Sequence, residues 1–232
     1  MEKAKKYILT TRPLAKTITE EAAMKNIIIE ELSFIDTHAV ESEAVVQRIK
    51  QLATDACTVV FTSMNAVEAV AAHVKNVPRW IVYCIGNTTK KLIEEKLSSA
   101  AIAATAENAE RLAERLIDDG VKNAVFFCGN IRRDELPNKI RSEGGEVEEV
   151  VVYETEEKPS ALTRDYDGIL FFSPSAVTSF FKSNKVPKHT QLFSIGSTTA
   201  ETLRKYANRK IVVAKTSDKN ELARQAIDYL NP

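Results

Sequence analysis

The chain has 232 residues, 44% hydrophobic and 28% charged, with 32 basic and 32 acidic side chains and a formal net charge of zero. That length suits one large or two ordinary globular domains, and the even charge excludes the global field that holds a nucleic acid or an anionic membrane, so any anionic ligand must be met locally. Cys57, Cys84 and Cys128 are widely separated and each lies in or beside an apolar run, which predicts buried reduced thiols rather than a disulfide framework or zinc site, and a reducing, cytoplasmic compartment. The charged start, Met1 to Lys6, leads into an apolar stretch too short for a signal peptide, and no apolar run approaches membrane-spanning length.

In chain order, Tyr7–Ile8–Leu9 reads as a short strand ending at Thr10–Thr11–Arg12–Pro13, with Pro13 in the first turn of a helix running towards Asn26. Ile27–Ile28–Ile29 is a second buried strand, and Leu32–Ser33–Phe34–Ile35–Asp36–Thr37 is extended. From Cys57 to about Ala104 the pattern is strand, helix, strand, helix, strand. Ala109, Leu112, Ala113, Leu116 and Ile117 form a helical stripe before Gly120. Next come a strand at Ala124–Val125–Phe126–Phe127, the turn Cys128–Gly129–Asn130, a charged helix through Arg141, and Gly144–Gly145 as its stop. Val147 begins another strand, and Val150–Val151–Val152–Tyr153–Glu154–Thr155 is again extended. Gly168 to about Ala214 repeats the long pattern, and Leu222, Ala223, Ala226, Ile227 and Leu230 mark a last helix. Continuous apolar runs such as Thr58–Val59–Val60–Phe61 suit strands buried on both faces of parallel sheets, alternating strands are absent, and the class is α/β.

The chain contains itself twice. Phe61–Thr62–Ser63–Met64–Asn65–Ala66–Val67 recurs at Phe171–Phe172–Ser173–Pro174–Ser175–Ala176–Val177, and Cys84–Ile85–Gly86–Asn87–Thr88–Thr89 recurs at the same offset as Ser194–Ile195–Gly196–Ser197–Thr198–Thr199. The two extended segments align with each other at the offset that relates Ile8–Leu9 to Phe126–Phe127. Pattern alone leaves two arrangements open: a two-strand connector between a discontinuous domain and an inserted one, or two domains in succession.

Ser63, Asn65, Ser173 and Ser175 stand at helix starts after strands, where hydroxyls, amides and free N–H groups can meet an anion. Each singly is explained by ordinary helix capping, as are Thr88, Thr89, Thr198 and Thr199; four such loops above parallel strands favour a binding site. Arg12, Arg132 and Arg133 can hold carboxylates in bidentate fashion, though solvated surface arginine is the commoner fate. Tyr153 has the phenol of a weak acid, yet aromatic residues are common in strands. His38, His73 and His189 are isolated, with no carboxylate or cysteine at ligand spacing, and metal binding is not expected. Gly-x-Gly-x-x-Gly, phosphate-loop and nucleophile-elbow motifs are missing.

These residues together resemble the uroporphyrinogen-III synthase family. The resemblance runs through Thr11–Arg12–Pro13, Phe61 to Val67, Ile85–Gly86–Asn87–Thr88–Thr89, Gly129–Asn130 with Arg133, Gly144–Gly145–Glu146–Val147, and Val152–Tyr153–Glu154–Thr155. It ends with Ser173 to Val177 and Ile195–Gly196–Ser197–Thr198–Thr199–Ala200, Lys90 and Cys128 being departures from the family pattern. It implies two α/β domains, each a parallel five-stranded sheet wrapped by helices, joined by a two-stranded β connector and facing an active-site cleft. Residues 1–33 and 158–232 would form one domain and 38–150 the other, with 34–37 and 151–157 as connector strands.

The implied activity is that of a cyclising hydro-lyase of haem biosynthesis, which closes hydroxymethylbilane to uroporphyrinogen III while inverting ring D and losing water. Loss of the ring A hydroxyl gives an azafulvene, ring D attacks through its substituted carbon, and the spiro intermediate fragments and recloses. The main task is orientation, because the unassisted bilane cyclises to the uninverted isomer. By this resemblance Tyr153 assists hydroxyl departure, and Arg12, Ser63, Asn65, Thr88, Thr89, Ser173, Ser175, Thr198 and Thr199 bind substrate. No cofactor or metal is implied, and the partners are hydroxymethylbilane and, transiently, hydroxymethylbilane synthase, for a cytoplasmic monomer. The competing readings are a non-catalytic two-lobed binding protein for a small anion, disfavoured by the start of the chain, and a flavodoxin-like signalling module, disfavoured because no acidic cluster stands at the strand ends.

Overall fold

The apolar runs become the middles of two sheets. A computed structural model describes residues 5–75, 79–97 and 101–231, so the first four residues of the charged start lie outside it. The chain divides into two units, Met1–Asp36 with Glu156–Pro232 and Thr37–Thr155, and passes between them once in each direction.

The elements are β1 (Lys6–Thr10), α1 (Lys16–Met24), β2 (Ile27–Glu31), β3 (Ile35–Ala39), α2 (Glu43–Thr54), β4 (Cys57–Phe61), α3 (Met64–Ala71), β5 (Trp80–Ile85), α4 (Asn87–Lys96) and β6 (Ala101–Ala106). They continue with α5 (Ala109–Asp118), β7 (Asn123–Gly129), α6 (Glu135–Ser142), β8 (Glu146–Glu157), β9 (Gly168–Phe171), α7 (Pro174–Ser183), β10 (Gln191–Ser194), α8 (Ser197–Tyr206), β11 (Ile211–Val213) and α9 (Lys219–Leu230).

In the discontinuous unit the strand order is β11-β10-β9-β1-β2, all parallel. Ile8, Leu170 and Phe193 pack on one face under α1 and α9, while Leu9, Ile169, Phe171 and Leu192 pack on the other with Phe180 of α7 and Leu203 of α8. Successive residues therefore serve opposite clusters, which is why an uninterrupted apolar run is required. All four residues of β9 are buried. Asp218 caps α9 by accepting from the Asn220 and Glu221 amides, at 2.8 and 3.0 Å, and the helix buries the predicted stripe from Leu222 to Leu230.

The continuous unit has the order β3-β8-β7-β4-β5-β6. Its core splits in the same way: Val59, Phe61, Val82 and Phe127 on one face, Val60, Tyr83 and Phe126 on the other. Where five strands were expected, this sheet has six. The sixth is β3, which lies beside β8: the Val40 amide donates to Val152 O at 2.9 Å, and the Lys158 amide to Phe34 O at 2.8 Å, so the two strands run in opposite directions. β8 itself spans 12 residues without a break, so the last strand of the repeat and the extended segment after it are one element.

Three further expectations change. Pro13 lies before α1, because Ala15 is extended (φ −67°, ψ 142°) and the Leu14 amide is taken by Glu31 Oε1 at 3.0 Å. Ile27 alone of its triplet is buried, with Ile28 37% exposed, because β2 is an edge strand. Alternating strands do occur: β3 and β6 expose every second residue at sheet edges, hidden in β6 because two of its three exposed positions, Ala101 and Ala103, are apolar too. Of the cysteines, Cys84 and Cys128 are buried and Cys57 half-buried, all three free.

Candidate functional site

In open parallel sheets a ligand sits beyond the carboxyl ends of the strands, where the connections part in opposite directions. Each unit has one such point. In the discontinuous unit the chain winds outwards from β9 through β10 to β11 and from β1 to β2, so the point lies between β1 and β9. Arg12 follows β1, Ser173 and Ser175 follow β9, and Thr198 and Thr199 follow β10. In the continuous unit it lies between β4 and β7. Ser63 and Asn65 follow β4, Thr88 and Thr89 follow β5, Gly129–Asn130 closes β7, and Tyr153 is on β8. Each unit thus gathers its share of the sequence-predicted residues on adjoining strand ends.

The four helix starts are of two kinds. Ser63 caps α3 by accepting from the Asn65 amide at 3.2 Å, and Ser173 caps α7 by accepting from the Ala176 amide at 3.2 Å, with the Ser175 hydroxyl 3.1 Å from its own. Capping therefore accounts for both serines. α4 and α8 start instead at Gly86 and Gly196, and neither has a side-chain cap among the described residues. Their first-turn N–H groups are left for an anion, with the positive end of the helix dipole behind them. Thr88 is exposed and Thr198 half-buried there, whereas Thr89 and Thr199 are 6% and 2% exposed and turn into their units.

Charged groups sort likewise. Arg12 is half-buried, its carbonyl held by the Thr10 hydroxyl at 2.7 Å, and its guanidinium has no ion-pair partner among the described residues. Arg133 bonds Glu135 at 3.2 Å. Arg132 bonds Glu149, as does Arg141 at 2.8 Å. Burial raises the Glu149 pKa, but the two guanidiniums overcome that and leave it below the usual carboxylate range. Arg132 is accordingly neutralised within its own unit. Burial pushes the Cys128 thiol up to about 11, against the pull of Arg132, so it offers no thiolate.

Two of the three histidines are not isolated as the sequence suggested: His38 Nε2 lies 3.6 Å from Glu154, and His73 Nε2 3.3 Å from Glu41. Pairing of β3 with β8 joins the first couple, which sequence spacing cannot show. A groove of about 340 Å³ lies between residues 161–166 and Ser183–Pro187. It opens at the amino-terminal ends of β9 and β10, away from every candidate residue.

Two doubly wound α/β units from one duplicated sequence, each with hydroxyls at its switch point and one uncapped helix start a strand further out, define a duplicated α/β protein. The sequence model of the family described as uroporphyrinogen-III synthase HemD matches residues 16–224, and the chain belongs to that family. A uroporphyrinogen-III synthase of Saccharomyces cerevisiae is 32% identical over 149 residues, 53% of this chain and 54% of that one. The chain spans about half the length of the curated relatives it matches. Among solved structures, uroporphyrinogen-III synthetase of Helicobacter pylori is 17% identical with a TM-score of 0.66, over 97% of this chain and 100% of that chain. A mutant uroporphyrinogen III synthase of Thermus thermophilus is 13% identical with a TM-score of 0.70, over 97% of this chain and 98% of that chain. At such identities the likeness shows the fold. Among the described residues no helix is long and apolar enough to cross a membrane.

Proposed function

We propose that the chain closes hydroxymethylbilane to uroporphyrinogen III with inversion of ring D and loss of water, as a cofactor-free lyase of tetrapyrrole biosynthesis. The observation that carries this reading is membership of the synthase family over residues 16–224. The substrate is polyacidic and the chain has no net charge, so its carboxylates need local donors. The uncapped starts of α4 and α8, the hydroxyls of Thr88, Thr198, Ser63, Ser173 and Ser175, the Asn65 amide and the Arg12 guanidinium supply them. Thr89 and Thr199, with buried side chains, would contribute backbone N–H groups.

Tyr153 is the acid in this reading: its phenol gives a proton to the departing ring A hydroxyl, which leaves as water, and takes one back when the ring closes. The rest of the work is orientation, holding ring D so that its substituted carbon attacks first. Residues 34–37 and 151–157 act as connector strands between domains 1–33 with 158–232 and 38–150. The setting is a cytoplasmic monomer that meets hydroxymethylbilane synthase transiently, and three free thiols fit a reducing compartment. The test couples the purified protein to hydroxymethylbilane synthase and separates the uroporphyrin isomers. Isomer III is expected; isomer I alone rejects the proposal.

A further inference from the structure

Tyr153 faces the wrong side of its strand. Along β8, Val147 and Val151 pack with Val60 and Phe126 on one face of the sheet, while Val150 and Val152 pack with Phe61 and Phe127 on the other. Strict alternation would put Tyr153 with Val147 and Val151, yet it packs with Val150 and Val152. The pairing with β7 explains this. Phe127 is opposite Val150 and Cys128 opposite Val151, but Gly129 is opposite Tyr153, so Val152 is an extra residue and the strand bulges there. A bulge re-aims the side chain that follows it.

The end of β7 is built to receive the re-aimed ring. A Cβ on Gly129 would lie 2.5 Å from both Cε2 and Cζ of Tyr153 and 2.8 Å from its hydroxyl oxygen. Only the absence of a side chain lets the ring rest there. The next residue then holds β8 beyond the bulge. The Asn130 amide donates from its backbone to Tyr153 O at 3.2 Å, its Nδ2 donates to Thr155 O at 3.3 Å, and its Oδ1 accepts from the Thr155 amide at 2.8 Å. The side chain thus continues the ladder where β7 has ended, fixing the backbone that follows the phenol.

We propose that Gly129 and Asn130 are positioning residues for Tyr153: the glycine provides the seat of its ring, and the asparagine locks the bulged register that turns the ring into it. This deepens the reading of Tyr153 as the acid and rests on it. The test compares Gly129→Ala, Asn130→Asp, Tyr153→Phe and the double variant Gly129→Ala/Tyr153→Phe in the coupled assay, together with the 13Cζ resonance of Tyr153 in tyrosine-labelled protein, assigned by its loss in Tyr153→Phe. Gly129→Ala is expected to lower kcat for isomer III about 100-fold with KM within about twofold, because the proton donor is displaced while the substrate contacts stay. It should also shift the Tyr153 resonance. The double variant should be no slower than Tyr153→Phe alone, within about twofold, because the glycine acts only through the hydroxyl.

An unmoved Tyr153 resonance, or losses that multiply in the double variant, overturns the proposal. A moved resonance with Tyr153→Phe turning over at the wild-type rate leaves the seat in place and removes Tyr153 from the chemistry instead. Should Gly129→Ala fail to fold, Asn130→Asp, which keeps the acceptor for the Thr155 amide and loses the donor to Thr155 O, carries the same two readouts.

Discussion

Thr11 in one unit and Gly129 in the other occupy the same place in the repeat, since Ile8–Leu9 aligns with Phe126–Phe127. Thr11 is fully buried and its hydroxyl donates to Leu170 O at 3.0 Å, tying β1 to β9. No ring can rest on it, β1 pairs with β2 in unbroken register, and the residue presented next is Arg12. At Gly129 the side chain is gone, the register slips by one, and the ring of Tyr153 fills the space. Duplication thus kept the order of strands and helices and let the strand ends diverge, one towards a cation and the other towards a phenol.

The widest division between the units is that each has its own core, and breaking one core at a time tests it. Phe127 stacks with Phe61 at 5.3 Å and lies 5.7 Å from Trp80, while Phe171 meets Phe180 edge-on at 5.2 Å. Phe127→Ala and Phe171→Ala should each destabilise by about 3–5 kcal/mol. The chain's one tryptophan, Trp80, reports on the continuous unit alone. Phe127→Ala should therefore move the fluorescence transition in urea, and Phe171→Ala should move only the circular dichroism. Equal movement of both signals by both variants would mean that the units unfold as one.

A smaller effect separates the paired glycines. Gly86 has φ 76° and ψ 154°, a region closed to side chains, whereas Gly196 is plainly extended at φ −173° and ψ 176°. Neither would meet an atom within 4 Å on gaining a Cβ, so backbone strain is the whole difference. Gly86→Ala should cost about 1–3 kcal/mol and Gly196→Ala less than about 0.5 kcal/mol. Equal midpoint shifts in chemical denaturation would refute the distinction.

Both glycines look alike in sequence, and that marks the limit of reading from it. The α/β class, the repeat and the order of short and long units were legible because apolar runs and hydroxyl-rich turns recur at fixed offsets. Continuity of β8 was not, since no turn residue stands where the repeat ends and the crossing begins. The bulge at Val152 left no trace among three valines in a row, although Gly129–Asn130 could have drawn suspicion: a glycine at a strand end often marks a close approach. Capping by Ser63 and Ser173 is the plain alternative that their residue type already suggests. That α4 and α8 lack a cap required knowing that glycine, and not the threonines after it, stands at their starts.

Each unit also buries one tyrosine against a carboxylate. Tyr83 donates to Asp119 at 2.8 Å and Tyr166 to Glu30 at 2.5 Å. Burial first, then the bonded carboxylate, pushes both phenols up to about 12. The native state therefore holds these protons more tightly than the unfolded chain, which releases them near pH 10. Their contribution is whole below pH 10 and is lost as pH rises through 12. Stability measured by urea between pH 9 and 12 should fall, and less steeply in Tyr83→Phe and Tyr166→Phe; an identical slope in both variants would remove the phenols as its cause.

The smallest difference lies deep in the two copies. Cys84 and Ser194 correspond, and each faces the neighbouring edge-ward strand: Cys84 is opposite Thr105, with Sγ 3.6 Å from its hydroxyl, while Ser194 is opposite Val213. The Ser194 hydroxyl is fully buried and meets no hydrogen-bond partner among the described residues. A buried hydroxyl in that state costs about 1–3 kcal/mol, whereas a thiol loses little when it lacks a partner. Replacing Ser194 by the residue of the other copy, Ser194→Cys, removes that penalty but adds a larger atom to a packed site, so the net gain should be about 0.5–1 kcal/mol. Val213→Thr approaches the same point from the other side, by supplying the hydroxyl that Thr105 offers in the continuous unit. Both variants should raise the circular dichroism midpoint and leave the Trp80 transition where it was. A loss of stability in Ser194→Cys with no gain in Val213→Thr would show that shape, and not the missing hydrogen bond, keeps serine in this copy.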